Sequence, residues 1–292
     1  MKLCTFSYGG AKELGLIDPK AGKVWSIAKA APGFGADMVG LIRRFDEVKA
    51  KLKAEGAGLA LSEVKLLAPI TSPLRNVLCV GKNYREHAKE FAASGADATG
   101  KAGSEIPEDP IIFTKASNAL RGPGDTIPLH AGVTSQLDYE AELAVVIGKG
   151  GSKIAKANAM RHVFGYTMAN DVTARDLQLK HRQWFLGKSL DGACPMGPYV
   201  ATADELDGSK LDIRCWVNDE LRQNANTRDL IFDIPTLIET ISLGMTLEAG
   251  DVILTGTPAG VGVGFKPPRF LKAGDSVRIE IEGLGTLTNK VG

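Results

Sequence analysis

From Ile111 to the C-terminus, Gly and Pro cut the chain into short apolar segments, and this punctuation limits the fold more than any other feature. It leaves room for many strands of about four to eight residues and for few helices. Strands are expected at Ile111–Thr114, Ala141–Ile147, Gly165–Ala169, Tyr199–Ala201, Asp212–Val217, Val252–Thr255 and Ser276–Ile281. Helical spacing is confined to Ile154–His162 and to Pro235–Ser242, which Gly244 ends. Long alternation of strand and helix is missing. A doubly wound sheet is thereby excluded, and the class is α+β, mainly β, built on an antiparallel or mixed β-barrel or roll.

The first 70 residues read as a small α+β domain ahead of a larger one over 71–292. Strands are expected at Leu3–Tyr8, Leu14–Ile17 and Val24–Ile27. From Ala36 to Ala54 the apolar residues Met38, Leu41, Ile42, Phe45, Val48 and Leu52 recur at helical spacing. The stretch Lys65–Pro73 holds two prolines and reads as a connector. A strand at Asn76–Val80 and a short helix at Tyr84–Phe91 follow. Residues 92–110 are rich in Ala, Gly, Ser and acids and read as a long loop, a type that is commonly functional or disordered.

Charge excludes one class of partner. Lys+Arg total 35 against 34 Asp+Glu, so the basic excess of a nucleic-acid binder is missing. No run of about 18 apolar residues suggests a membrane span. The start, MKLCTFSYGGAKELG, lacks the apolar core of a signal peptide, and a cytoplasmic location is expected. Cys4, Cys79, Cys194 and Cys215 form no CxxC pair and are expected in the core as small hydrophobes.

Several familiar motifs fail. Gly187-Lys188-Ser189 lacks the leading glycine of a phosphate loop, because Arg182 stands there. The run GVGVG at 260–264 has the wrong spacing for a dinucleotide fingerprint, and Ser189 has no nucleophile elbow around it. Neither a zinc-protease helix motif nor a calcium-binding EF-hand loop is present.

Five segments survive. In Asp138–Gly148, strand alternation puts Glu140 and Glu142 on one face, about 7 Å apart at their Cα atoms. Two acids leading into an apolar run either form a solvated face or share a cation. Asp171 follows the apolar strand Phe164–Ala169, as a helix cap or as a third oxygen ligand. Three carboxylates with no nearby His or Cys suit Mg²⁺, Mn²⁺ or Ca²⁺. His87 and Glu90 are neighbours on a helix, as a surface pair or as a general base with its orienting carboxylate. Lys188, flanked by Trp184, Phe185 and Leu186, either snorkels or meets an anion. The small, hydroxyl-bearing run Leu254–Gly262 is either a tight turn or a close backbone approach to a ligand. His130, His162 and His181 have no comparable partner and read as structural or surface residues.

Together and in this order, VGKNYREHAKE, DYEAELAVVIG, GYTMANDVTARDLQ, WFLGKSLD, LTGTPAGVGVG and KPPRFLKAGDSVRIEIEGLG resemble the fumarylacetoacetate hydrolase family. The resemblance runs from about Ser72 to the C-terminus, and the leading unit is similar to the short N-terminal domain of many bacterial members. It implies a mixed β-roll, a homodimer, and Mg²⁺ or Mn²⁺ held at Glu140, Glu142 and Asp171, with Ca²⁺ as a substitute in a crystal. His87 and Glu90 match a water-polarising dyad, Lys188 a lysine that meets substrate oxygen, and Gln178 and Thr257 further pocket positions. Tyr84 is carried with them as a substrate contact, and Arg175 as a group that orients acids. Residues 91–110 match a lid.

The implied activity is metal-dependent hydrolysis of a C–C bond in a 2,4-dioxo acid, an acylpyruvate or diketo-deoxy sugar acid, giving a 2-oxo acid and a carboxylic acid. Decarboxylation of oxaloacetate-like acids or isomerisation of a 2-hydroxy-dienoate is the alternative in the same site. The partner is then a small oxo acid in catabolism. Arg85, Lys101, Arg121 and Tyr166 are candidates for specificity.

Overall fold

The computed structural model describes residues 1–30, 32–95 and 106–292. Lys101 and half of the expected 91–110 lid lie outside the described residues. A mixed sheet of 12 strands dominates. Its centre runs through Cys194–Thr202, Val163–Asn170, Ala141–Ile147, Val252–Leu254, Val77–Gly81 and Ile111–Lys115, in that lateral order. Neighbours in this series pair antiparallel, except for the parallel pair Val252–Leu254 and Val77–Gly81. The central strands are covered on both faces. Every residue of Ala141–Ile147, Val163–Asn170 and Cys194–Thr202 is buried, which explains their near-continuous apolar sequences.

A second sheet of four strands holds Glu220–Asn226, Asp212–Val217, Ser276–Ile281 and Gly285–Lys290. Here burial alternates along Ser276–Ile281, with Val277, Ile279 and Ile281 turned to the core. The fold is thus the mainly β, mixed-sheet class the punctuation predicts. All four cysteines are free and buried.

The leading 70 residues join the large sheet. Strand Lys2–Tyr8 pairs with Cys194–Thr202 through Lys2↔Ala201 and Leu3↔Val200, and on its other side with Ala11–Asp18. The expected connector contributes a short strand, Lys65–Leu66, which also pairs with Lys2–Tyr8.

Two expected helices need correction. The 36–54 stretch is not one helix but two short turns, Met38–Arg43 and Phe45–Val48, followed by a 3-10 turn at Lys49–Lys51. Asp37 caps the first by accepting from the Gly40 amide, and Arg44, at φ −119°, leaves helical geometry. The kink lets Phe45 stack edge-on against Phe164, 4.9 Å between ring centres, so tertiary packing overrides the periodicity. Ile154–His162 becomes a 3-10 segment at Lys156–His162, in which only Ala159 is buried. With so narrow an apolar contact, nothing rewards a full α-helical stripe.

Candidate active site

Strand register assembles the acids. Ala141 pairs with Asn170 and Glu142 with Ala169, so the start of one strand meets the end of the other. The Asp171 amide donates to the Glu140 carbonyl at 2.8 Å, and the Glu140 amide to Asn170 Oδ1 at 3.0 Å. Carboxylate oxygens of Glu140, Glu142 and Asp171 thereby lie within 4.8 Å of one another, all buried. A solvated face is excluded for the pair. Asp171 caps no helix, since Ala174 is the N-cap of the helix Arg175–Lys180.

Cations surround two of the three acids. Lys188 Nζ donates to Glu140 at 2.7 Å and to Asp171 at 2.8 Å, and lies 5.1 Å from the centre of the Phe113 ring. At 2% exposure it does not snorkel. Arg175 bridges Asp138 at 2.9 Å and Glu140 at 2.7 Å, and donates to Gln178 at 3.2 Å. The other Asp171 oxygen pairs with Lys115 at 2.7 Å. Glu142 accepts the Gly256 amide at 2.6 Å and has no ion-pair partner among the described residues. Gly256 has φ +102°, and a Cβ there would meet the Asn83 Cβ at 2.7 Å, so only glycine delivers that amide.

The electrostatics follow. Burial works to raise the Glu140 carboxyl, but Lys188 and Arg175 outweigh it and hold it at about 2. Burial, then the Asp171 and Glu140 charges, push Glu142 well above the usual carboxylate range. Burial lowers the Lys188 ammonium, but Asp171 and Glu140 more than restore it, so it stays charged.

These groups fit a divalent cation. Lys115, Arg175 and Lys188 pair with Asp138, Glu140 and Asp171, while Glu142 has no ion-pair partner among the described residues and is held protonated by its neighbours until a cation arrives. An all-oxygen donor set without His or Cys suits a hard ion. The buried Glu140–Glu142–Asp171 cluster can therefore bind a divalent metal. With such an ion the centre turns net positive and favours an anionic ligand.

Glu140 and Glu142 face a small cavity of about 20 Å³, also lined by His87, Lys82, Gln178 and Thr257. His87 is 5% exposed, so the pair with Glu90 is no surface feature. His87 Nδ1 and Glu90 Oε2 are 3.4 Å apart on the helix Arg85–Ala93. Glu90 is fixed from below, where the Gly260 amide lies 3.1 Å from each of its oxygens. Phe91, Trp184, Val261 and Val263 form a small apolar cluster over the same corner.

The structure thus brings His87, Lys188, Gln178, Thr257 and Arg175 onto one cavity with Glu140 and Glu142, with Asp171 buried against the two glutamates and Glu90 next to His87. Tyr84 lies elsewhere. It is buried, and lines a separate, wider depression with Arg85 and Arg228. Arg121 and Tyr166 do not line the acid cavity either. Arg121 donates to the Leu120 carbonyl, and Tyr166 packs against Gly208. Sequence reading missed Lys115, Lys82, Asp138 and Gln223. A lysine closing the apolar strand Ile111–Lys115 was a usable signal, since a buried lysine demands a carboxylate partner. Gln223 gave none, because its partners are distant in the chain.

Comparison with known proteins agrees with this geometry. Residues 76–292 match the fumarylacetoacetate hydrolase C-terminal family. Over 234 residues, 80% of the chain and 75% of the relative, it is 55% identical to oxaloacetate tautomerase YisK of Bacillus subtilis (strain 168). It superposes with a TM-score of 0.84 on fumarylacetoacetate hydrolase (EaFAH) from Exiguobacterium antarcticum, 43% identical, covering 100% of this chain and 99% of that one. The TM-score is 0.79 against maleylpyruvate hydrolase from Sphingobium sp. SYK-6 in complex with manganese(II) ion and pyruvate, 32% identical, covering 100% and 98%. The chain belongs to the fumarylacetoacetate hydrolase family. The relatives named here are enzymes, tautomerase or hydrolase, and no helix among the described residues is long and apolar enough to cross a membrane.

Proposed function

We propose that this chain is a Mg²⁺- or Mn²⁺-dependent enzyme of small 2-oxo acids, and that keto–enol tautomerisation of oxaloacetate is the reaction its site supports best. The observation that carries this reading is one small cavity that joins Glu140, Glu142, Lys188, Thr257 and His87, with the Asp171 carboxylate within 4.8 Å of the two glutamates. The activity named for the Bacillus subtilis relative supports the same choice.

A divalent ion held by Glu140, Glu142 and Asp171 supplies Lewis-acid stabilisation of negative charge on the oxo oxygen. The remaining work falls to the protein. His87, oriented by Glu90, takes the proton from the carbon between the carbonyl and the distal carboxylate. The electron pair of that C–H bond becomes the C=C bond, and the carbonyl pair moves onto oxygen. Lys188 and Thr257 donate hydrogen bonds to the anion. Protonation of the oxygen gives the enol, and the reverse sequence gives the ketone.

Hydrolysis of a 2,4-dioxo acid is a second reading, favoured by the His87–Glu90 pair. In it the same imidazole deprotonates a water, which adds to the distal carbonyl, and C–C cleavage releases a carboxylic acid and a 2-oxo acid. Decarboxylation differs from both by loss of CO₂. One experiment separates them. Metal-loaded protein is given enol oxaloacetate or acetylpyruvate, with and without EDTA, while enol absorbance, pyruvate and CO₂ are followed. EDTA-sensitive loss of enol absorbance without pyruvate is the expected result. Pyruvate and acetate from acetylpyruvate would replace the tautomerase with the hydrolase, and pyruvate and CO₂ from oxaloacetate with the decarboxylase.

A further inference from the structure

Gln223 has no part in the chemistry above, yet its fully buried side chain ties two parts of the site together. It sits on strand Glu220–Asn226 of the smaller sheet. Its Oε1 accepts the Ala141 amide at 3.0 Å, the residue between the two glutamates. Its Nε2 donates to Thr257 Oγ1 at 2.7 Å and to the Pro258 carbonyl at 2.8 Å.

The partners fix which end of the amide is which. A backbone N–H only donates and a carbonyl only accepts, so oxygen faces Ala141 and nitrogen faces Pro258 and Thr257. An amide nitrogen carries two hydrogens, and both are used here. It offers no lone pair in return. Thr257 Oγ1 therefore accepts from Gln223 and cannot give its own hydrogen back. Among the described residues no other hydrogen bond involves the Thr257 hydroxyl, which lines the cavity beside Lys188. Its hydrogen is left for whatever enters.

We infer that Gln223 is a positioning residue that locks the Thr257 hydroxyl as a hydrogen-bond donor to an anionic oxygen of the ligand. For the ligand class this rests on the oxo-acid reading above. The oxygen is the carboxylate or enolate oxygen of a 2-oxo acid. The effect of Gln223 on that ligand oxygen passes through Thr257.

The test uses Mn²⁺-loaded full-length protein and oxalate, a planar dianion that resembles the enolate of a 2-oxo acid, titrated by calorimetry. Thr257→Val and Gln223→Met should each weaken oxalate binding about tenfold, the range of one hydrogen bond to a charged group. The double variant should be no weaker than either single one, and Thr257→Ser should bind within about twofold of the parent. Gln223→Glu covers the case in which Gln223→Met fails to fold. Its carboxylate draws the hydroxyl hydrogen towards itself, so binding should fall in the parent and far less in the Thr257→Val background. Mn²⁺ affinity, measured in parallel, should stay the same for Thr257→Val and Gln223→Met. Losses that multiply in the double variant, or parent-like binding by Gln223→Met, would overturn the inference, as would failure of the parent to bind oxalate. The expected oxalate pattern in an enzyme that turns over no oxo acid would uphold this inference and remove the proposed function.

Discussion

Glu142 is the metal-site carboxyl with no ion pair among the described residues, and its environment makes ionisation unfavourable until a cation arrives. Binding a divalent ion must displace its proton, so metal affinity should rise with pH and each ion should release up to one proton. Calorimetry in two buffers of different ionisation enthalpy measures that release, and its absence would mean Glu142 is already charged. The same shift has a stability sign. A carboxyl whose folded pKa is raised binds its proton more tightly in the folded state, so its contribution falls as pH rises above 4.5, its unperturbed value. Glu142→Gln should therefore equal or exceed the metal-free parent in stability at pH 8, with the difference shrinking towards pH 5, and should lose metal binding. Urea melts at the two pH values check this. Lys115 is the opposite case, a charge that is buried and fully used. It pairs with Asp171 at 2.7 Å and donates to the Val172 carbonyl at 2.9 Å. Lys115→Met leaves a buried carboxylate short of its partner, and a cost of about 3–5 kcal/mol is expected. An unfolding midpoint unchanged from the parent would show that Lys188 alone suffices for Asp171.

Between elements, the site depends on loops pressed against the acid strand and the dyad helix. Gly260 gives its amide to Glu90, and a Cβ on Gly264 would lie 2.2 Å from Glu90 Oε1. Asp138 pins the same loop by accepting the Gly262 and Val263 amides at 2.7 and 3.0 Å. Gly264→Ala should push Glu90 from beneath His87, lowering turnover about a hundredfold while leaving metal affinity intact. Retained turnover would separate Glu90 from the chemistry. These contacts also explain what the sequence made legible. Strands that match one burial pattern, such as Ala141–Ile147, could be read from residue type alone, and so could His87 with Glu90, whose geometry is set within one helical turn. Glu140, Glu142 and Asp171 were readable because register follows from two adjoining strands. Gln223 meets Ala141 and Thr257 only because the smaller sheet packs beneath the larger one, and no local pattern carries that. The 36–54 helix failed for the same reason, since Phe164, far along the chain, decides where it bends. Tyr84 adjoins the dyad in sequence, yet the turn into the helix sends it to the other depression.

At the scale of the whole molecule, the leading 70 residues raise the question of whether the larger part can stand alone. A boundary near residue 70 predicts that it can, and the hydrogen bonding argues otherwise. Strand Lys2–Tyr8 lies against Cys194–Thr202, all nine residues of which are buried. Thr5 also donates to the Pro69 carbonyl at 2.7 Å and accepts the Leu67 amide, closing the chain back on itself across the expected boundary. Removing residues 1–70 would uncover an apolar strand edge, with Leu3, Cys4 and Phe6 gone from the core behind it. An edge of that kind templates pairing with other chains, and Pro195 and Pro198 lie outside the Val200–Ala201 stretch that Lys2–Tyr8 covers, where no charge stands either. A 71–292 fragment is therefore expected to aggregate or to melt far below the full chain, even though it retains every site residue. Its solubility and melting temperature, compared with those of the full chain with and without Mn²⁺, test the point. Metal should raise the midpoint of the full chain through binding linkage. A monodisperse fragment with the same metal-induced rise would show that the family fold over 76–292 is autonomous and that the leading strands only dock on it. A fragment that precipitates while the full chain stays folded would make strand Lys2–Tyr8 part of the scaffold that holds the acid strands in register.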